Sequence, residues 1–120
     1  MYSQTAKDHF LNPRNVGVLE DADGIGVEGT AGEGNHMVIA LRIADGVIQA
    51  ARFQTYGCPG AIVCGSYLTE WITGMPATEA AGIPAPDLEE QLGGLPLGKS
   101  HCAALAVAAL RKALADAGMR

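Results

Sequence analysis

The chain has no cluster of lysine or arginine, and its formal charge is −5. Nucleic acids and anionic membranes are held first by cationic side chains, so neither is expected as a partner. Long apolar runs are missing as well. The longest, Ala103 to Leu110, falls far short of the roughly 20 residues that a membrane span requires. The opening stretch from Met1 to Phe10 is polar and holds no apolar segment of the signal-peptide kind, which makes a cytoplasmic location the expectation. Only three cysteines are present, an odd number that cannot close into a disulfide framework. In a reducing compartment such cysteines point to metal or sulfur chemistry instead. Repeats, low-complexity tracts and linkers are also absent, and 120 residues at 48% hydrophobic content can bury a real core. One domain over residues 1–120 is expected.

What is present reads as strands followed by helices. Ser3 to Leu11 can form a short helix that stops before Asn12-Pro13, since the residue ahead of proline avoids the helical region. Gly26-Val27-Glu28, Met37 to Ile43 and Val47 to Tyr56 have strand character, and Asp45-Gly46 between the last two is a hairpin turn. After Gly57-Cys58-Pro59-Gly60 the period lengthens, and Ala61, Cys64, Leu68, Trp71 and Ile72 fall on one helical face ending near Gly74. Short helical pieces follow, starting around Thr78-Glu79 and Asp87-Leu88 and broken by Pro76, Pro84, Pro86 and Gly93-Gly94. Ser100 to Ala117 is rich in Ala and Leu and gives the longest helix, closed by Gly118. This order predicts an α+β fold.

His101-Cys102 stands at the mouth of that last helix. Unpaired backbone N–H groups and the positive end of the macrodipole favour a thiolate there. A thiolate beside an imidazole is a metal ligand or a sulfur nucleophile, although a capped helix start with a half-buried histidine has the same spelling. Cys58 lies in a glycine-rich loop that can present its sulfur to solvent. Lys99, three residues before Cys102, is either a solvated lysine or a charge that favours the thiolate. Cys64 shares a face with Ala61, Leu68 and Ile72, so it reads as a small core hydrophobe; a substitute ligand is its alternative. His9 and His36 read as structural or surface residues, and His36 in a strand would point away from the face carrying Glu33 and Asn35.

Tyr56-Gly57-Cys58, Thr69-Glu70-Trp71, Leu92-Gly93-Gly94-Leu95-Pro96 with Lys99 and His101-Cys102, and Asp8-His9 with Asn12-Pro13-Arg14-Asn15-Val16-Gly17 together resemble the IscU/NifU family of iron–sulfur cluster assembly scaffolds. The resemblance runs nearly end to end. It implies a small three-stranded antiparallel sheet packed by about five helices, as in SufE/NifU-like folds, with a site for [2Fe–2S], iron or zinc at one exposed end. It also implies that Cys58, His101 and Cys102 are ligands, with Cys58 and Cys102 as sulfur acceptors and Lys99 beside them. In the family's remaining motif, Cys-Gly-Asp, this chain has Glu33-Gly34-Asn35.

Soft thiolates suit iron–sulfur clusters and carboxylate is an uncommon ligand to them, whereas zinc accepts Glu together with Cys and His. Glu33, Cys58, His101 and Cys102 therefore form a sensible zinc set and a weaker cluster set. Three functions follow as expectations. One is a scaffold that accepts sulfur from a cysteine desulfurase and passes clusters to recipient proteins, with a chaperone among the partners. A second is a zinc-dependent sulfur acceptor of the SufU kind, although this chain lacks the insertion that branch carries ahead of its last helix. The third is a degenerate homologue acting as a subunit or regulator. All three describe a carrier more than an enzyme.

Overall fold

A computed structural model describes residues 2–29, 35–56, 59–96 and 98–118. Its elements run α1 (Gln4–Leu11), β1 (Gly24–Glu28), β2 (His36–Ala44), β3 (Val47–Tyr56), α2 (Pro59–Ile72), α3 (Ala77–Ala81), α4 (Ala85–Gln91) and α5 (Ser100–Asp116). The three strands form one antiparallel sheet in the order β1-β2-β3. The expected α+β architecture is therefore the observed one. β1 begins at Gly24, ahead of the expected Gly26, and β2 is one residue longer at each end than its apolar run.

Local chemistry accounts for the element ends. Ser3 caps α1 by accepting a hydrogen bond from the Ala6 amide at 3.0 Å, the usual use of a hydroxyl at a helix start. Asp45 and Gly46 have φ of 53° and 77°, so the hairpin closes through a two-residue turn with both φ positive, matching the twist of its strands. Pro76 and Pro84 precede α3 and α4, and α5 ends on Ala117 ahead of Gly118 at φ 71°.

One face of the sheet carries Met37, Ile39, Leu41, Ile48 and Phe53, all buried against α2 and α5. Strand alternation sends Ile25 and Val27 to the opposite, exposed face. β1 lies directly on α5. A Cβ placed at Gly26 would come within 2.1 Å of the Ala109 carbonyl oxygen, so only glycine allows this approach. Lys112 pairs with Glu28 at 2.6 Å across the same junction. α2 is buried beyond a single face, with Val63 and Thr69 enclosed as well as Ala61, Leu68 and Ile72. Trp71 sits at its margin, half-buried and edge-on to Tyr67. The expected single stripe missed this because α2 is wedged between β3, α1 and α5. Among the described residues, no helix is long and apolar enough to cross a membrane.

Candidate metal and sulfur site

The first turn of α5 holds His101 and Cys102 at one end of the sheet. Ser100 is the first helical residue, and the Cys102 amide turns back to the Lys99 carbonyl at 3.0 Å. His101 is exposed and Cys102 is fully buried. Their functional atoms meet, with Cys102 Sγ 3.6 Å from His101 Nε2. Two ligands of one tetrahedral zinc, at about 2.3 Å for sulfur and about 2.05 Å for nitrogen, stand about 3.6 Å apart. The pair thus has the bite of a single metal ion.

Asn35, just ahead of β2, reaches across to both ligands. Its amide nitrogen lies 2.9 Å from His101 Nε2 and 4.0 Å from Cys102 Sγ. The start of α2 closes the other side. A Cβ at Gly60 would lie 2.9 Å from Cys102 Sγ and 3.2 Å from the Tyr2 hydroxyl, so glycine here makes room for the sulfur. Tyr2 is brought in by α1, whose cap Ser3 also donates a hydrogen bond to the Leu92 carbonyl. Tyr2 and Gly60 were missed from sequence. A glycine in a helix's first turn costs stability relative to alanine, and that cost was the available signal for Gly60. Nothing local marks Tyr2, because its neighbours are 58 and 100 positions away in the chain.

Lys99 is half-buried and makes no ion pair among the described residues. Glu33 and Cys58, the two further ligands expected from sequence, lie outside the described residues. Among the described residues, no three His, Cys, Asp or Glu side chains gather as a metal site. His101 and Cys102 are the two candidate donors that the described residues bring together. Cys64 is fully buried in the core, in the second turn of α2, which began early enough to enclose it.

The other two histidines are structural. His9 is 4% exposed, with Nδ1 2.7 Å from Ser66 Oγ, and that hydroxyl also accepts the Arg14 amide at 2.9 Å. Its ring tilts against Tyr67 at 5.2 Å, and Nε2 lies 3.8 Å from Glu70. Burial pushes its pKa below the ordinary histidine value, helped by Arg14 and opposed by Glu70 and Asp8. Asp8 is held below the usual carboxylate range by its 2.7 Å bond from Arg14. His36 is 8% exposed and stacks on Tyr56 at 5.8 Å. Its buried Nδ1 has no hydrogen-bond partner among the described residues.

Residues 1–120 match the NifU-like N-terminal domain family. The chain is 47% identical over 116 residues to the iron-sulfur cluster assembly scaffold protein IscU 1 of Archaeoglobus fulgidus, covering 97% of this chain and 76% of that protein. It is 42% identical over 119 residues to the scaffold protein IscU of Escherichia coli K12, covering 96% and 92% respectively. Among solved structures it is similar to the N-terminal part of a nitrogen-fixing NifU-like protein from Brucella abortus, with a TM-score of 0.76 at 14% identity, covering 97% of this chain and 93% of that one. At that identity the likeness shows the fold alone.

Proposed function

Since the chain belongs to the NifU-like N-terminal domain family, we propose that it is an iron–sulfur cluster assembly scaffold and that its cargo is built at the first turn of α5. The observation that carries this reading is the 3.6 Å separation of Cys102 Sγ and His101 Nε2, a bite suited to one metal ion. Cys58 and Glu33 complete the donor set in this proposal, and Lys99 supplies positive charge beside it.

Sulfur reaches the site by exchange. The thiolate of Cys102 or Cys58 attacks the outer sulfur of a persulfide on a cysteine desulfurase; a new S–S bond forms on the scaffold, the donor's S–S bond breaks, and the donor cysteine leaves as thiolate. A dithiol or other two-electron reductant would then release this sulfur as sulfide and regenerate the thiolate. Cys102, Cys58 and His101 would hold the iron and sulfide as cargo, and the [2Fe–2S] cluster would pass to recipient proteins, a step in which a chaperone can take part. The helix N-terminus favours the anionic sulfur throughout. The same donor pair also suits a zinc-holding sulfur acceptor of the SufU kind, since Glu33 is a better ligand for zinc than for a cluster.

Anaerobic reconstitution with a desulfurase, cysteine, ferrous iron and a thiol reductant tests the proposal. The expected result is the visible absorption of a [2Fe–2S] cluster in the wild type and its loss in Cys102→Ser and in Cys58→Ser. Protein that keeps stoichiometric zinc and takes up no cluster would move the assignment to the zinc-dependent acceptor. Replacing Glu33→Cys together with Asn35→Asp is expected to raise cluster occupancy.

A further inference from the structure

The side chain that reaches His101 and Cys102 is an amide, and an amide N–H cannot ligate a metal. The Asn35 amide nitrogen stands 2.9 Å from His101 Nε2, within ordinary hydrogen-bond range. It is also 4.0 Å from Cys102 Sγ, which itself stands 3.6 Å from His101 Nε2, so the three atoms form a triangle at the candidate site. When a neutral imidazole accepts a hydrogen bond at Nε2, its proton sits on Nδ1 and the accepting lone pair is the one a metal would need. An aspartate in this position has no proton to give in its ionised form, so it could neither occupy that lone pair nor donate toward the sulfur. The chemistry of position 35 therefore changes with a single atom.

We propose that Asn35 is a built-in competitor for the metal: in the metal-free protein its N–H occupies His101 Nε2 and leans on Cys102 Sγ, and the amide must turn away before His101 can ligate. The inference rests on the assignment of His101 and Cys102 as ligands made above. It deepens that assignment by giving this chain a reason to hold its cargo loosely. Asn35 acts here as a positioning residue that sets the balance between loading and release.

Two measurements on the full chain test the idea. In zinc-free protein, two-bond 1H–15N correlation of the His101 ring is expected to show the Nδ1–H form in the wild type and a shift toward Nε2–H in Asn35→Ala. Titration with cobalt(II), followed by thiolate-to-cobalt absorption, is expected to show Asn35→Ala binding about three- to tenfold tighter than wild type, the range that the net worth of one hydrogen bond allows. Asn35→Leu, which keeps the bulk without the N–H, should behave like Asn35→Ala. A wild-type His101 found as Nε2–H overturns the proposal outright, because the carbonyl would then face the ring. Unchanged or weaker cobalt binding in both variants overturns the competition. Failure of the ligand assignment has a separate signature: cobalt binding that survives Cys102→Ser and His101→Ala, whatever residue stands at position 35.

Discussion

Two corners of this protein each place a histidine against a neutral hydrogen-bonding side chain, and the two have opposite characters. At the His9 corner the ring is 4% exposed, Ser66 serves both His9 and the Arg14 amide, and Tyr67 covers the ring. At the His101 corner the ring is exposed and Asn35 reaches its Nε2, while the buried neighbour is a thiol, 3.6 Å away. A buried, doubly engaged histidine joins elements: here it fastens α1 and the following arm to α2. An exposed imidazole beside a sheltered sulfur can exchange partners without cost to the core. Residue type is the same in both places, so enclosure decides the role.

The largest expected effect separates the corners most sharply. His101→Ala should weaken cobalt(II) or zinc binding by more than the 10–100-fold lost when an outer-sphere partner is removed. Its melting free energy should stay within about 0.5 kcal/mol of wild type, as for other exposed substitutions. Equal losses of binding and stability would erase the distinction between the two histidines. Ser66→Ala is the mirror experiment. It removes the partner of both His9 Nδ1 and the Arg14 amide, and each buried polar group left unpaired costs about 1–3 kcal/mol. A drop of about 2 kcal/mol in urea unfolding, with metal affinity unchanged, is the expected outcome.

Gly60→Ala probes the packing behind Cys102. The new methyl group would stand 2.9 Å from the sulfur, and overpacking of about 1–3 kcal/mol is offset in part by about 1 kcal/mol of helix propensity. Stability should therefore change by about 1 kcal/mol, while cobalt binding falls about tenfold because Sγ must move. Binding left intact would show that Gly60 does not set the sulfur's position.

The smallest effect is the acid limb of stability. The folded pKa of His9 lies below its unfolded value because of burial, so the unfolded chain binds the extra proton first. Its contribution to stability is complete above the unfolded pKa of about 6.5 and declines as the pH falls toward the lower folded value. Unfolding followed between pH 7.5 and 5 should show that decline, with a shallower slope in His9→Gln. Equal slopes would remove His9 as its source.

Most of the fold could be read in the chain because local signals agreed with one another. Alternation in Val47 to Tyr56 fixed β3 to the residue, Asp45-Gly46 fixed the hairpin, and the Ala/Leu run from Ser100 fixed α5. β1 began earlier than expected because Gly24 has no side chain to pattern; its strand pairing with Leu41 is set by the neighbouring strand and by α5. The enclosure of α2 on several sides was equally invisible, since one helix's periodicity says nothing about how many neighbours surround it. At the site, His101-Cys102 announced itself through adjacency and its place at a helix start. The burial of Cys64 followed from its spacing with Leu68 and Ile72.

By itself the sequence determined the order and type of the elements and the identity of the candidate donors, because each of these is local in the chain. The tertiary structure decided which side chains meet. It brought the Asn35 amide to His101 across 66 positions, shut Cys102 behind Gly60 and Tyr2, and locked His9 into the core at Ser66. Those contacts exist only once the sheet, α1, α2 and α5 have packed together, since no local rule of helix or strand carries information over such separations.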